Sequence, residues 1–372
     1  MPQFARKDIV TEGEVGIYHC VARCVRRAFL CGEDPVSGRN FGHRREWILA
    51  RLKLLAANFA VEICGYSIMG NHLHLVLRTR PDVAAGWSEE EVAARWRALF
   101  PKRRDKSGER SGPDDMDVLL LDRDALEKKR GRLSSLSWFM RCLCEWVARR
   151  ANAEDECSGR FWEGRFKCQA LVDDAAVLAC SMYVDLNPIR AKLAETPEES
   201  DYTSAKDRID ARKARKRPKS RKSRRAKISD AQTEADAWLC PILSEAEVRD
   251  RAGTKQTSNV TESPDGSSPT AVRTSAASPS PSFLPMDVDD YLRLLDWTGR
   301  RIRAGKRGTI PARLAPILER LAVTDAGILQ AVAEFGKSFR RCVGAADTVA
   351  AKATSAGKRW FQGIATCRAA FG

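Results

Sequence analysis

Hydrophobic and polar positions change period several times along the first two hundred residues, and each change marks an element. Residues 15–25, VGIYHCVARCV, are rich in Val, Ile and Tyr and read as a strand. In 44–60, RREWILARLKLLAANFA, the residues Trp47, Ile48, Leu52, Leu55 and Phe59 fall at helical spacing on one stripe. Strand composition returns in 61–78, VEICGYSIMGNHLHLVLR, where Gly70-Asn71 divides the run as a hairpin turn would. A short helix is predicted around 87–100, and LSSLSWFMRCLCEWVARRANAE, 133–154, predicts an amphipathic helix. RFWEGRFKCQALV, 160–172, reads as a fourth strand, and 173–193 as a helix opened by an Asp cap. The charged, Gly/Pro-punctuated stretch 81–131 looks like an insertion.

The order βαββαβ followed by another helix predicts an α+β fold of the ferredoxin-like type. Its core would be a four-stranded antiparallel sheet with helices on one face. Such a fold hosts many activities and narrows function very little.

After residue 206 the composition shifts. Residues 206–227 hold thirteen Lys or Arg against two Asp, a net +11 within a chain whose formal charge is +15. A run of this kind repels itself and attracts polyanions, with a salt dependence that is blind to sequence. Nucleic acid is the expected partner, because a membrane surface normally asks for an amphipathic or lipidated anchor. Ser, Thr, Pro and Gly dominate up to about 283, so 207–283 is predicted to be a disordered linker. Helical periodicity returns over 284–372 as a small basic module, able either to recognise DNA through Trp297, Arg300, Arg301 and Lys306 or simply to pack on the core.

Nothing approaches the run of about 18 apolar residues that spans a membrane, and the first residues lack a signal peptide's apolar stretch. A cytoplasmic location is expected. The twelve cysteines form no C-x-x-C pair and read as reduced, mostly buried thiols. No GxxxxGK[ST] phosphate loop occurs, which argues against a coupled helicase.

Two of only four histidines, His72 and His74, flank Leu73 in one predicted strand. Alternate side chains share a strand face, so both imidazoles can bind one divalent metal, although H-x-H alone is weak evidence. The helix at 173–193 carries Tyr183 and Asn187, four residues apart and hence on one face. An Asn amide oxygen can complete a metal site, and Tyr183 can serve as a nucleophile given help from a metal or base. From spacing alone, a half-buried structural tyrosine is equally consistent.

GYSIMGNHLHLVL, GRFWEGRFKCQALV and MYVDLNPIRAKLAETPEESDYTS together resemble the single-tyrosine HUH transposases, and within them the IS-type and REP-associated tyrosine transposases. The resemblance covers nearly all of 15–206, taken here as the catalytic domain, and DDYLRLLDWTGRRIRAGKRGTIP resembles the C-terminal extension of long members. It implies that His72 and His74 bind Mg²⁺ or Mn²⁺ with Asn187 as a polar third ligand. Tyr183 would attack single-stranded or hairpin DNA, forming a 5′-phosphotyrosine and freeing a 3′-hydroxyl. Relatives occur as monomers and homodimers. Arg23, Arg160, Trp162, Arg165, Lys167 and Arg190 are the candidate DNA contacts; strand alternation predicts that Trp162 and Arg165 face opposite ways. A retired transposase that still binds palindromic DNA is the alternative.

Overall fold

The computed structural model describes residues 8–25, 30–34, 37–101, 120, 122–216, 235–242, 282–302, 325–339 and 341–371. Its centre is a mixed five-stranded sheet, ordered β2-β3-β1-β4-β5. The strands are β1 (Gly16–Arg23), β2 (Val61–Ile68), β3 (His72–Thr79), β4 (Lys167–Leu171) and β5 (Cys342–Val343). β1 pairs antiparallel with β3 and β4, β2 pairs antiparallel with β3, and β5 joins β4 in parallel. The expected antiparallel four-strand sheet is therefore extended by a strand from the C-terminal region.

Between β2 and β3 the turn at Met69, Gly70 and Asn71 falls where the sequence placed it. Its carbonyls at Gly70 and Asn71 accept from the Cys31 and Cys24 amides at 2.9 and 3.0 Å, which pins the hairpin tip. Leu73, Leu75 and Leu77 are fully buried on one face of β3. α1 (Arg44–Asn58), with Ile48, Leu52 and Leu55 buried, packs on β2 and on α5 (Leu136–Glu154).

Within 81–131 the chain forms α2 (Pro81–Ala85), α3 (Glu89–Leu99) and the larger part of α4 (Arg123–Leu133). α3 packs on α1 and α4, burying Val92, Ala93, Leu99, Leu126 and Leu133, so the described part of the insertion shares the main core.

The fourth strand is shorter than predicted. Residues 161–166 leave the ladder except for a single bridge, Trp162 to Cys24. The Trp162 indole N–H donates to the Cys144 carbonyl on α5 at 2.8 Å, which draws that segment toward the helix.

α6 (Asp174–Asp185) follows, with Asp173 as its cap accepting from the Ala176 amide at 2.8 Å. Every residue from Ala175 to Asp185 is buried. A helix buried all round needs cover on both sides. It contacts β2, β3 and β4 on one side and α10 (Asp325–Ser338) on another. The predicted helix is interrupted at Leu186 and resumes as α7 (Asn187–Arg190), because Pro188 supplies no N–H and disfavours helical backbone before it.

Two differences concern the tail. Residues 204–216 form α8 (Ser204–Lys216) against the β2 edge, so the first part of the expected linker is helical. Its Arg208 is buried and donates to the Cys64 carbonyl at 2.7 Å. Residues 235–242 also pack there, with Cys240 N–H donating to the Ile63 carbonyl at 2.8 Å. The remainder of 207–283, apart from Ser282 and Phe283, lies outside the described residues. Beyond it, α9 (Val288–Ile302) touches α8 and α10, and α11 (Ala346–Ser355) and α12 (Ile364–Phe371) pack together. Of the four residues singled out in this region, Trp297 is buried, Arg300 and Arg301 are exposed, and Lys306 lies outside the described residues.

No helix among the described residues is long and apolar enough to cross a membrane. None of the twelve cysteines is in a disulfide, and Cys157 alone among them is exposed.

Candidate functional site

On β3, His72 and His74 project from one face with ring centroids 4.8 Å apart, while Leu73 between them is buried in the opposite face. A third imidazole joins them from β1. His19 Nε2 lies 2.9 Å from His74 Nδ1, and the two rings stack at 5.2 Å. His19 Nδ1 in turn lies 2.8 Å from Gln169 Oε1 on β4. At the hairpin tip, Asn71 Oδ1 sits 2.6 Å from His72 Nδ1.

Burial pushes the pKa of His19 down to about 4, although the Gln169 contact works against it. His72 is also pushed down to about 4, by burial and then by the charge of Arg23. His74 is held well below the usual range, again chiefly by burial. All three rings are consequently neutral near pH 7, the form in which imidazole offers a lone pair to a metal.

α6 delivers Tyr183 onto this cluster, its ring edge-on to His74 at 5.5 Å and to His19 at 5.8 Å. Phe335 of α10 stacks on the other side at 5.2 Å. A Cβ at Gly336 would fall 2.6 Å from the Tyr183 hydroxyl, so α10 approaches as closely as a glycine permits. Tyr183 is 9% exposed. Burial raises its pKa, and the neighbouring Arg190 and Asn187 side chains draw it partly back.

The break after α6 brings Asn187 and Arg190 round to the tyrosine. The Arg190 guanidinium lies 4.6 Å from the Tyr183 ring centroid, and its Nη2 donates to the Ala333 carbonyl at 2.6 Å. Its Nη1, and Nδ2 of Asn187, are buried and make no well-formed hydrogen bond, although both side chains lie close enough to the Tyr183 hydroxyl to lower its pKa. Two orphaned donors beside a nucleophilic oxygen form a setting that an oxyanion would complete.

Comparison with known proteins adds little. No known family's sequence profile matches the chain, and no curated protein does. One solved structure, a REP-associated tyrosine transposase bound to a REP hairpin, aligns with 56% of this chain and 86% of its own. The identity is 10% and the TM-score 0.31. The assignment is therefore left to the chemistry of the residues.

The sequence-predicted residues divide into two groups. His72, His74, Tyr183, Asn187 and Arg190 come together. Arg23 sits opposite His72 in the β1–β3 register, exposed and 3.5 Å from Glu163. Arg160, Arg165 and Lys167 are exposed on the approach to β4. Trp162 is half-buried, packs against the core and donates its indole N–H to α5. Strand alternation does not govern its relation to Arg165, since neither lies in β4.

Sequence reasoning missed His19, Gln169 and Asp185. His19 carried a signal, being a third scarce histidine in a predicted strand. Asp185 accepts from Ser204 Oγ at 2.5 Å, the Ala205 amide at 3.0 Å and the Tyr291 hydroxyl at 2.6 Å, holding the end of α6 to α8 and α9.

As for a metal, no three His, Cys, Asp or Glu side chains among the described residues are grouped to hold one. The donor set that fits is narrower: the neutral pair His72 and His74, with the Asn187 side chain able to add its amide oxygen, since the unpartnered Nδ2 is a hydrogen-bond donor and not a ligand.

Proposed function

We propose that the chain is a metal-dependent single-strand DNA nickase and ligase of the single-tyrosine HUH transposase kind, acting on hairpin DNA. The observation that carries this reading is Tyr183 edge-on to the histidine pair, with the unpartnered nitrogens of Arg190 and Asn187 beside it. The strand order β2-β3-β1-β4 supports a ferredoxin-like βαββαβ core beneath the added fifth strand.

Tyr183 is the nucleophile. Its phenol loses a proton to solvent as the oxygen forms a bond to the phosphorus of a DNA phosphodiester. The bond to the 3′ oxygen breaks, and that oxygen takes up one proton from solvent and leaves as a 3′-hydroxyl, so no net proton is gained or lost. The DNA 3′ of the nick stays attached as a 5′-phosphotyrosine, and the reverse attack rejoins the strand without a nucleotide cofactor. Arg190 Nη1 would donate to a phosphate oxygen as charge develops there, and Asn187 would offer its amide oxygen as the third metal ligand, with its Nδ2 free to donate to the phosphate. His72 and His74 would hold Mg²⁺ or Mn²⁺, which supplies Lewis-acid stabilisation of a phosphate oxygen. Imidazole ligands suit Mn²⁺ better than Mg²⁺. Arg23, Arg160, Arg165 and Lys167 would neutralise phosphates along the approach, with the run after residue 216 adding nonspecific attraction.

The covered hydroxyl favours a second reading. With α10 stacked on Tyr183, a phosphodiester reaches the oxygen only if that helix yields, and a protein that never lets it yield would bind hairpin DNA without cutting it.

Covalent capture separates the two. Protein incubated with hairpin DNA labelled 3′ of the scissile bond, then denatured, is expected to carry the label with metal present. Binding without capture over a range of hairpins and metals would leave the second reading.

A further inference from the structure

We infer that His19 and Gln169 are positioning residues that fix which nitrogen of His74 is available to a metal, and that the C-terminal segment sets the direction of this relay. The inference rests on the reading of His74 as a metal ligand.

The direction follows from one fact: a backbone carbonyl only accepts. Gln169 Nε2 lies 2.7 Å from the Phe339 carbonyl oxygen, so the group turned toward Phe339 is the amide NH₂. Gln169 therefore turns its oxygen to His19 Nδ1, 2.8 Å away, and that nitrogen carries the proton. In a neutral imidazole the other nitrogen is then an acceptor. His19 Nε2 accepts across 2.9 Å from His74 Nδ1, which must bear its own proton. The lone pair of His74 is left on Nε2. On the neighbouring ligand, Asn71 Oδ1 accepts from His72 Nδ1 at 2.6 Å, which leaves His72 Nε2 as the lone-pair nitrogen too.

Both imidazoles thus present the same nitrogen. An outer partner that fixes the ring and tautomer of a ligating histidine is a general feature of metal sites. The relay has an unusual start: the carbonyl that begins it belongs to residue 339, just past the end of α10, far in sequence from β1, β3 and β4.

The test uses the full chain, free of DNA, with ¹⁵N-labelled histidine. Four histidines give a spectrum in which His74 is assignable by comparison with a His74→Gln sample. In the metal-free wild type, His74 is expected to carry its proton on Nδ1. A proton on Nε2 overturns the inference by itself, without any variant. His19→Phe keeps an aromatic ring and removes the acceptor, and Gln169→Leu removes the group that orients His19. Each is expected to move His74 toward a mixture of tautomers and to weaken Mn²⁺ binding, measured by paramagnetic resonance, by about 10–100-fold. Should His19→Phe fail to fold, Gln169→Leu and the wild-type spectrum decide.

Unchanged Mn²⁺ affinity and tautomer in a folded variant would sink the relay while leaving Tyr183 chemistry standing. Conversely, a relay that behaves as described in a protein that never captures DNA would sink the nickase reading alone.

Discussion

Replacing Asp185 with alanine tests how the tyrosine-bearing helix is held. The carboxylate is 1% exposed and accepts from three donors: Ser204 Oγ, the Ala205 amide and the Tyr291 hydroxyl. Arg208, itself 3% exposed, is a favourable charge nearby. Hydrogen bonds to a charged group contribute about 1.5–3 kcal/mol each, and the sum is reduced by the carboxylate's own desolvation. Removing one partner of a buried ionic cluster costs about 3–5 kcal/mol, and that is the expected loss for Asp185→Ala in urea unfolding followed by tryptophan fluorescence. Burial raises the pKa of Asp185, more than Arg208 and the three donors lower it. Its contribution is then fullest below the unfolded value of about 3.9 and declines as pH rises through the raised folded value. The variant's deficit should accordingly be larger near pH 4 than at pH 7. A loss under about 1 kcal/mol at both pH values would refute the claim that these three bonds anchor the end of α6.

Other outcomes follow from the same geometry. Tyr183→Phe should abolish covalent capture and leave hairpin binding and stability nearly unchanged, since the ring keeps its stack on Phe335; capture by the variant would transfer the chemistry to another residue. His72→Ala and His74→Ala should each remove metal-dependent nicking, as EDTA should in the wild type, and a double variant active in chelator would end the metal assignment. Deleting 217–227 removes seven basic residues and no acidic one; a gel shift should show weaker binding at low salt and a flatter salt slope, with nicking at saturation retained. That deletion stops short of 206–216, because α8 with its buried Arg208 belongs to the fold.

Much of this architecture was legible because alternation and helical spacing are local signals. The runs at 15–25 and 61–78 gave their strands, and the scarcity of histidine drew attention to His72 and His74. What remained hidden depends on pairing between distant segments. His19 reaches the cluster only because β1 lies beside β3 in a register that sets Val21 against His74 and Val76 against His19. Asp185 finds its partners at 204, 205 and 291. The fourth strand was read too long because a strand-like composition does not reveal that the Trp162 indole binds a helix carbonyl. Arg208 was counted with the polyanion-attracting basic run because charge alone does not disclose its bond to the buried Cys64 carbonyl.

The same reasoning changes the standing of the C-terminal region. From sequence it is a basic module beyond a long linker, separable from the chemistry. In the fold, β5 extends the sheet beside β4, and the Ala345 amide donates at 2.6 Å to Asp173, the cap of the tyrosine helix. Phe335 covers one face of Tyr183, and Gly336 leaves room for its hydroxyl where any larger residue would collide. The Phe339 carbonyl then starts the chain of hydrogen bonds that ends at His74. A site assembled this way draws on residues 19, 74, 169, 183, 190 and 339 at once. Its tyrosine is therefore covered by a segment more than 150 residues away in sequence, and α10 with the residue that follows it touches both the tyrosine hydroxyl and the glutamine that orients a neighbouring imidazole.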